Sequence, residues 1–134
     1  MIHKKIIPAT SDERGSISDI LYKTEIQHAA IIESKCGGVI RGNHYHKATT
    51  QHVFVLKGSL RYWYQPVDKS IPAQSILVKE SEIVSSPPNE IHALEMLEPN
   101  QFIVFSHGIR GGDDYESDTF RVPSIVSPDP AKTA

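Results

Sequence analysis

Three histidines and one glutamine stand at spacings that could do chemistry. His44 and His46 are separated by one residue, Gln51 follows shortly after, and His92 comes after the turn Pro87-Pro88-Asn89-Glu90. On an extended strand, alternate side chains share a face, so His44 and His46 point the same way. Gln51 falls at the start of the next strand, and His92 on a distant one. Two groups on one strand, a third on its neighbour and a fourth further off can converge inside a small barrel. Imidazoles in such a pocket can bind a divalent metal, act as general acid or base, or do both. Gly37, Gly38 and Gly42 precede the pair, which allows a bulge or close backbone approach. Arg41 and Lys47 flank it with positive charge. His3, His28, His52 and His107 have no spacing that ties them to anything, and they are read as packing or surface groups.

Elements that could position these residues are short strands. Ala29 to Glu33, Val39 to Tyr45, His52 to Leu56 and Leu60 to Tyr64 are rich in β-branched and aromatic residues. Lys57-Gly58-Ser59 between the last two reads as a tight hairpin turn, and Pro66 closes the second strand of that hairpin. Ser75 to Val78, Glu82 to Val84, Ile91 to Met96 and Gln101 to Phe105 continue the pattern. No helical period persists for a dozen residues. Only Asp19 to Gln27 leaves room for a helical turn. Many short strands at regular spacing predict an all-β sandwich or barrel. Trp63, Tyr62 and Tyr64 are expected to pack within it rather than stack on a base. The chain divides into one domain over 1–122 and an irregular tail over 123–134, with Pro128 and Pro130 in the tail.

Bulk properties exclude several classes. The 134 residues suit one domain with a real core. A net charge of −2 gives no general affinity for nucleic acid or anionic membranes. Cys36 is the sole cysteine, so no internal disulfide forms, and a bystander thiol in a reducing compartment is expected. Met1 to Pro8 lacks the apolar stretch of a signal peptide, and no run is long enough to span a membrane. These features predict a cytoplasmic protein.

The histidine spacing resembles a known family. Gly38, His44, His46, Gln51 and Gly58 match the first cupin motif at every spacing, with Gln51 where the family usually has Glu. Pro87, Asn89 and His92 resemble the core of the second motif, with Asn89 where Gly is usual. The resemblance implies a cupin-type β-barrel, the double-stranded β-helix or jelly roll. It says less about chemistry, because one fold hosts many activities.

Further strings narrow the resemblance. Asp12-Glu13-Arg14-Gly15 and Ile40-Arg41-Gly42-Asn43-His44-Tyr45 are similar to segments of dTDP-4-dehydrorhamnose 3,5-epimerases. Arg41-Gly42 followed by His44, His46, Lys47 and Gln51 looks more like the 3,4-ketoisomerases of dTDP-4-keto-6-deoxyglucose. The cupin domain of bifunctional capsular-sugar enzymes shares Arg41 to His46, the Pro-Pro turn and an ending like Asp118-Thr119-Phe120. These relatives process nucleotide-activated keto sugars for surface polysaccharides, and they are dimeric. By this resemblance His44 is the base and His46 a second catalytic group. Arg41, Arg14, Lys47 and Gln51 bind substrate, Arg41 at the diphosphate. A planar guanidinium suits a diphosphate because it donates two hydrogen bonds at once. The second proton donor stays open among His46, Tyr62 and Tyr64. The epimerases pair their base with a downstream Asp that has no clear counterpart here. Asp113, Asp114 and Asp118 read as a solvated turn.

Two cofactor readings follow. The ketoisomerase-like reaction needs no metal. Alternatively His44, His46, His92 and the Gln51 carboxamide hold one Zn²⁺, Ni²⁺ or Fe²⁺ ion, more weakly than with Glu. The expected function is therefore a nucleotide-sugar epimerase or ketoisomerase acting as a homodimer. The alternatives are a metal-binding cupin with another small-molecule substrate and a non-catalytic sugar-binding cupin.

Overall fold

A computed structural model describes residues 1–109, 111–114 and 116–127. The first strands are β1 (Ile2–Lys5), β2 (Thr10–Asp12), β3 (Gly15–Ile17) and β4 (His28–Ser34). Then come β5 (Ile40–Tyr45), β6 (Thr50–Lys57), β7 (Leu60–Pro66) and β8 (Gln74–Val78). The last are β9 (Glu82–Ser86), β10 (Glu90–Met96), β11 (Asn100–His107) and β12 (Phe120–Arg121). One sheet has the order β1-β9-β6-β11-β4 and a second the order β12-β5-β10-β7-β8. Every pairing is antiparallel. The all-β expectation holds, and the eight strands anticipated between Ala29 and Phe105 are β4 to β11.

Between the two sheets lies an apolar core that includes Val53, Val55, Leu60, Leu94, Phe102 and Val104. Each such side chain contributes roughly 1.5–3 kcal/mol by leaving water. Tyr62 is buried within this core, whereas Trp63, on the opposite face of the strand, is buried outside it and its Nε1 donates to Glu95 Oε1 at 3.0 Å.

Register decides where the polar groups lie. Across the first sheet, Ser86, Gln51, Ser106 and His28 are successive cross-strand partners on β9, β6, β11 and β4. Two residues along each strand, the row is Val84, Val53, Val104 and Ala30. A polar row therefore sits directly above an apolar one, because alternate residues share a face. In the second sheet His92 of β10 pairs with His44 of β5 on one side and Tyr64 of β7 on the other.

Three local features depart from the sequence reading. Asp19 to Gln27 forms bends with no helix; Lys23 has φ 50 and the Thr24 hydroxyl donates to Tyr22 O at 3.0 Å. Local side-chain bonds of this kind compete with a helical ladder. Second, Ile2–Lys5 is an edge strand on β9, although its residues are exposed. Lys4 and Lys5 there suit an edge, since charge discourages further pairing. Third, β2 and β3 form a hairpin whose turn is braced by Asp12, which accepts from the Arg14 N–H at 2.9 Å. Toward the C-terminus, Ile125 N still donates to Asn43 Oδ1 at 3.0 Å. Pro128 and Pro130 of the expected tail lie outside the described residues.

Candidate functional site

His44, His46 and His92 converge. One ligand atom from each lies within 4.8 Å of the others, and all three rings are buried. Ring centroids are 5.0 Å apart for His44 and His46, 4.7 Å for His44 and His92, and 5.2 Å for His46 and His92.

The backbone of β5 makes this convergence possible. Gly42 and Asn43 have φ 92 and φ 58, two left-handed residues in succession opposite a bulge between His92 and Ala93. A Cβ on Gly42 would stand 2.9 Å from His92 O, so only glycine lets the strands approach. Asparagine tolerates the left-handed region. Asn43 also serves the C-terminal segment, its carbonyl accepting from Val122 N at 3.0 Å. Asn89 sits at φ 63, which explains how it replaces the glycine of the second motif, and its N–H donates to His46 O at 2.7 Å.

Polar partners hold the rings. Ser86 Oγ lies 3.1 Å from His92 Nδ1. Gln51 Oε1 lies 3.1 Å from His46 Nε2, and the Gln51 amide nitrogen reaches Ser106 Oγ at 3.4 Å. His46 Nδ1 is 2.6 Å from the carbonyl of Asp118. A carbonyl only accepts, so Nδ1 carries the hydrogen. With a neutral ring, Nε2 then accepts, and the Gln51 amide turns its NH₂ toward it while the Ser106 hydroxyl donates to Oε1. With a charged ring the amide stays as placed.

Asp118 is not the solvated acid that the sequence suggested. Its Oδ1 accepts from Lys47 N at 2.8 Å, and its Oδ2 accepts from Ala48 N, Thr49 N and Thr49 Oγ1 at 2.9, 2.9 and 2.8 Å. Burial pushes this carboxyl up, but the three backbone donors and the hydroxyl outweigh burial and hold it below its ordinary value. Its carboxylate is committed to the β5–β6 connection. Asp113 and Asp114 lie in an exposed 3-10 turn.

The cluster opens into a cavity of about 390 Å³. Ile32, Val53, Leu94, Phe102 and Val104 make an apolar wall, while His44, His92, Gln51 and Ser86 make a polar one. Arg41 and Arg121 also line it. Arg41 is anchored by Nε to Ser34 Oγ at 3.2 Å and by Nη2 to Glu33 O at 3.1 Å. Tyr62 contributes a buried ring parallel to His92, with centroids 6.3 Å apart, and its hydroxyl donates to Glu90 Oε1 at 3.3 Å. Burial raises its phenol far above the ordinary range, so it stays protonated.

Two residues expected to bind substrate lie elsewhere. Arg14 is 85% exposed on the β2–β3 hairpin and pairs with Asp12 at 2.7 Å. Lys47 stands over the Phe120 ring, 4.4 Å from its centroid. Neither lines the cavity. Conversely, His28 and Arg121 line it although no motif or spacing singles them out. His28 has no spacing to the other histidines; only strand register carries it into their polar row.

Among solved structures, the chain is similar to the sugar 3,4-ketoisomerase QdtA from Thermoanaerobacterium thermosaccharolyticum in complex with TDP. That match has 18% identity and a TM-score of 0.72, covering 90% of this chain and 87% of that one. A dTDP-4-dehydrorhamnose 3,5-epimerase from Sulfolobus tokodaii matches at 21% identity and a TM-score of 0.73, covering 93% and 78%. The capsular polysaccharide assembling protein CapF from Staphylococcus aureus matches at 20% identity and a TM-score of 0.65. This chain covers 33% of CapF, with 90% of its own length aligned. No curated protein matches. At these identities the structural likeness establishes the cupin-type fold. The sequence pattern described as the polysaccharide biosynthesis C-terminal domain matches residues 10–120, most of the chain, including the whole histidine cluster and Asp118. By that match the protein belongs to the polysaccharide biosynthesis C-terminal domain family.

Proposed function

We propose that the protein is an isomerase or epimerase of a nucleotide-activated 4-keto-6-deoxy sugar. The observation that carries this reading is the buried convergence of His44, His46 and His92, with His44 and His92 lining a cavity that arginines also line and His46 packed behind them. The structural neighbours, which include a ketoisomerase bound to TDP-4-keto-6-deoxyglucose, support the same class.

A C–H beside a ketone is acidic enough for an imidazole base when the resulting enolate is stabilised. In this reading His44 removes that proton. His46, behind the cavity wall with its ring 5.0 Å from that of His44 and its Nε2 on Gln51, is the second proton-transfer group. Return to the opposite face inverts the carbon; return to the neighbouring carbon through an enediol moves the ketone. Tyr62 is the poorer donor, since burial keeps its proton tightly held and its hydroxyl turns to Glu90. In this reading Arg41 and Arg121, which line the cavity, bind the diphosphate, Arg121 by exchanging its ion pair with Glu116, and the apolar wall limits water at the reacting centre.

The donor set also fits a divalent ion. His44, His46 and His92 would hold it with the Gln51 carboxamide oxygen. Ser86 Oγ at His92 Nδ1 and the Asp118 carbonyl at His46 Nδ1 are the outer partners that metal-binding imidazoles require. A bound Zn²⁺, Ni²⁺ or Fe²⁺ would polarise the ketone oxygen. This observation favours, as a second reading, a metal-dependent cupin acting on another small molecule. A homodimer is part of both readings. β4 is the last strand of its sheet, and Ile31 on it is 65% exposed. Sedimentation equilibrium tests it, and a monomer at micromolar concentration refutes it.

The deciding experiment is proton NMR of the protein with dTDP-4-keto-6-deoxyglucose in D₂O, with and without chelator. Deuterium at C3 or C5 with inversion of that carbon and the ketone kept at C4 assigns an epimerase. A ketone at C3 assigns a ketoisomerase. Activity that survives the chelator assigns the chemistry to histidines alone. Binding without exchange leaves a sugar-binding cupin, and stoichiometric metal without exchange leaves the second reading.

A further inference from the structure

From this geometry we propose that Asp118 is the positioning residue of the site, fixing the ring of His46 from outside the cavity. Residues 47–49 offer three consecutive backbone N–H groups to its carboxylate, and the Thr49 hydroxyl adds a fourth donor. Successive backbone N–H groups make a natural nest for an anion. The same residue's carbonyl takes the His46 Nδ1 hydrogen at 2.6 Å. Asp118 therefore grips the chain on the C-terminal side of His46 with its carboxylate and the ring itself with its backbone. The grip has two consequences. It places the proton on Nδ1, which turns Nε2 toward Gln51. It also ties the segment ending in β12 across the end of β5, where Phe120 stacks on Tyr45 at 5.3 Å and Arg121 pairs with His44.

Nothing in this argument needs the substrate. Only its effect on turnover rests on the isomerase reading above. Removing the carboxylate leaves the Asp118 carbonyl in the chain but frees its position, so the His46 ring loses its fixed partner. Loss of such an outer partner typically costs 10–100-fold in activity or ligand affinity.

The experiment is a long-range ¹H–¹⁵N histidine spectrum of the ¹⁵N-labelled full chain without substrate, with Asp118→Ala, Asp118→Asn and Thr49→Val beside the wild type. In the wild type, one ring carries a slowly exchanging Nδ1 proton, assigned to His46 by its loss in His46→Gln. Asp118→Ala is expected to abolish that protection. Thr49→Val, which removes one of the four bonds, is expected to weaken it. If Asp118→Ala does not fold, Asp118→Asn and Thr49→Val decide the question. In turnover, kcat is expected to fall about 10–100-fold in Asp118→Ala with KM within about threefold. A protected Nδ1 proton in the folded Asp118 variants overturns the proposal. So does a lower melting temperature with the ring signal and kcat unchanged, which marks a merely structural role. A wild type with no keto-sugar turnover but a locked His46 ring rejects the isomerase reading and leaves the positioning role standing.

Discussion

Gly42→Ala tests the link between backbone conformation and the histidine cluster. Gly42 has φ 92, and an alanine there incurs the left-handed backbone penalty, about 1–3 kcal/mol. Its Cβ also meets His92 O at 2.9 Å and Ala93 Cα at 3.2 Å, both rigid backbone atoms, so β5 and β10 must separate. Overpacking of this kind adds about 1–3 kcal/mol. Together the substitution is expected to destabilise the fold by about 2–6 kcal/mol. Gly38 supplies the control. It has φ 88, but a Cβ there meets nothing within 4 Å, so Gly38→Ala carries the backbone penalty alone. Urea denaturation, followed by Trp63 fluorescence, measures both. Gly42→Ala is expected to lower the midpoint by about 1–2 M, and Gly38→Ala by less. Activity should separate them further. The strands forced apart carry His44 and His92, and a misplacement near 1 Å costs about a hundredfold in rate. Equal stability losses in the two variants would refute the close-approach argument. A Gly42→Ala protein with wild-type stability would refute the backbone argument as well.

Other perturbations reach the remaining parts of the site. His44→Ala is expected to lose turnover by at least about a hundredfold while circular dichroism stays unchanged, and full activity would remove His44 as the base. Arg41→Ala is expected to raise KM for the nucleotide sugar about tenfold with little change in kcat, read by initial-rate kinetics. Stability should also depend on pH through His52, whose Nδ1 lies 2.7 Å from Ser85 Oγ. Burial first, then the neighbouring His107 and Lys4 charges, press its pKa below the ordinary 6.5. The unfolded chain then holds more protons between the folded value and 6.5, so stability is full above 6.5 and falls as the pH drops below it. The melting temperature should drop between pH 7.5 and 5.5, and by less in His52→Gln; an equal drop in both would exclude His52 as the cause.

Much of the fold was legible because strands announce themselves locally. The apolar and aromatic runs at Ala29–Glu33, Leu60–Tyr64 and Ile91–Met96 need no distant partner to be recognised, and each lies in a strand here. The histidine cluster was legible for a related reason. His44 and His46 share a face by pleat alone, and motif spacing brought in Gln51 and His92. Residues that act through long-range contact left no such trace. Ile2–Lys5 is a strand only because β9 offers an edge. Arg14 belongs to a suggestive string, yet its hairpin geometry satisfies it with Asp12 at the surface.

The sequence by itself determined the all-β class, the eight strands β4 to β11 and the histidines that form the cluster, since these follow from residue type, period two and motif spacing. Tertiary structure alone decided three other things. Register placed His28 in the polar row with Gln51, an outcome of pairing between β4, β11 and β6. The fold of the C-terminal segment brought Asp118 back onto residues 46–49, about seventy positions earlier in the chain, where a carboxylate can collect backbone donors. Strand approach at Gly42 set the distance between His44 and His92. Each depends on two distant segments meeting, and local residue preference carries no record of that meeting.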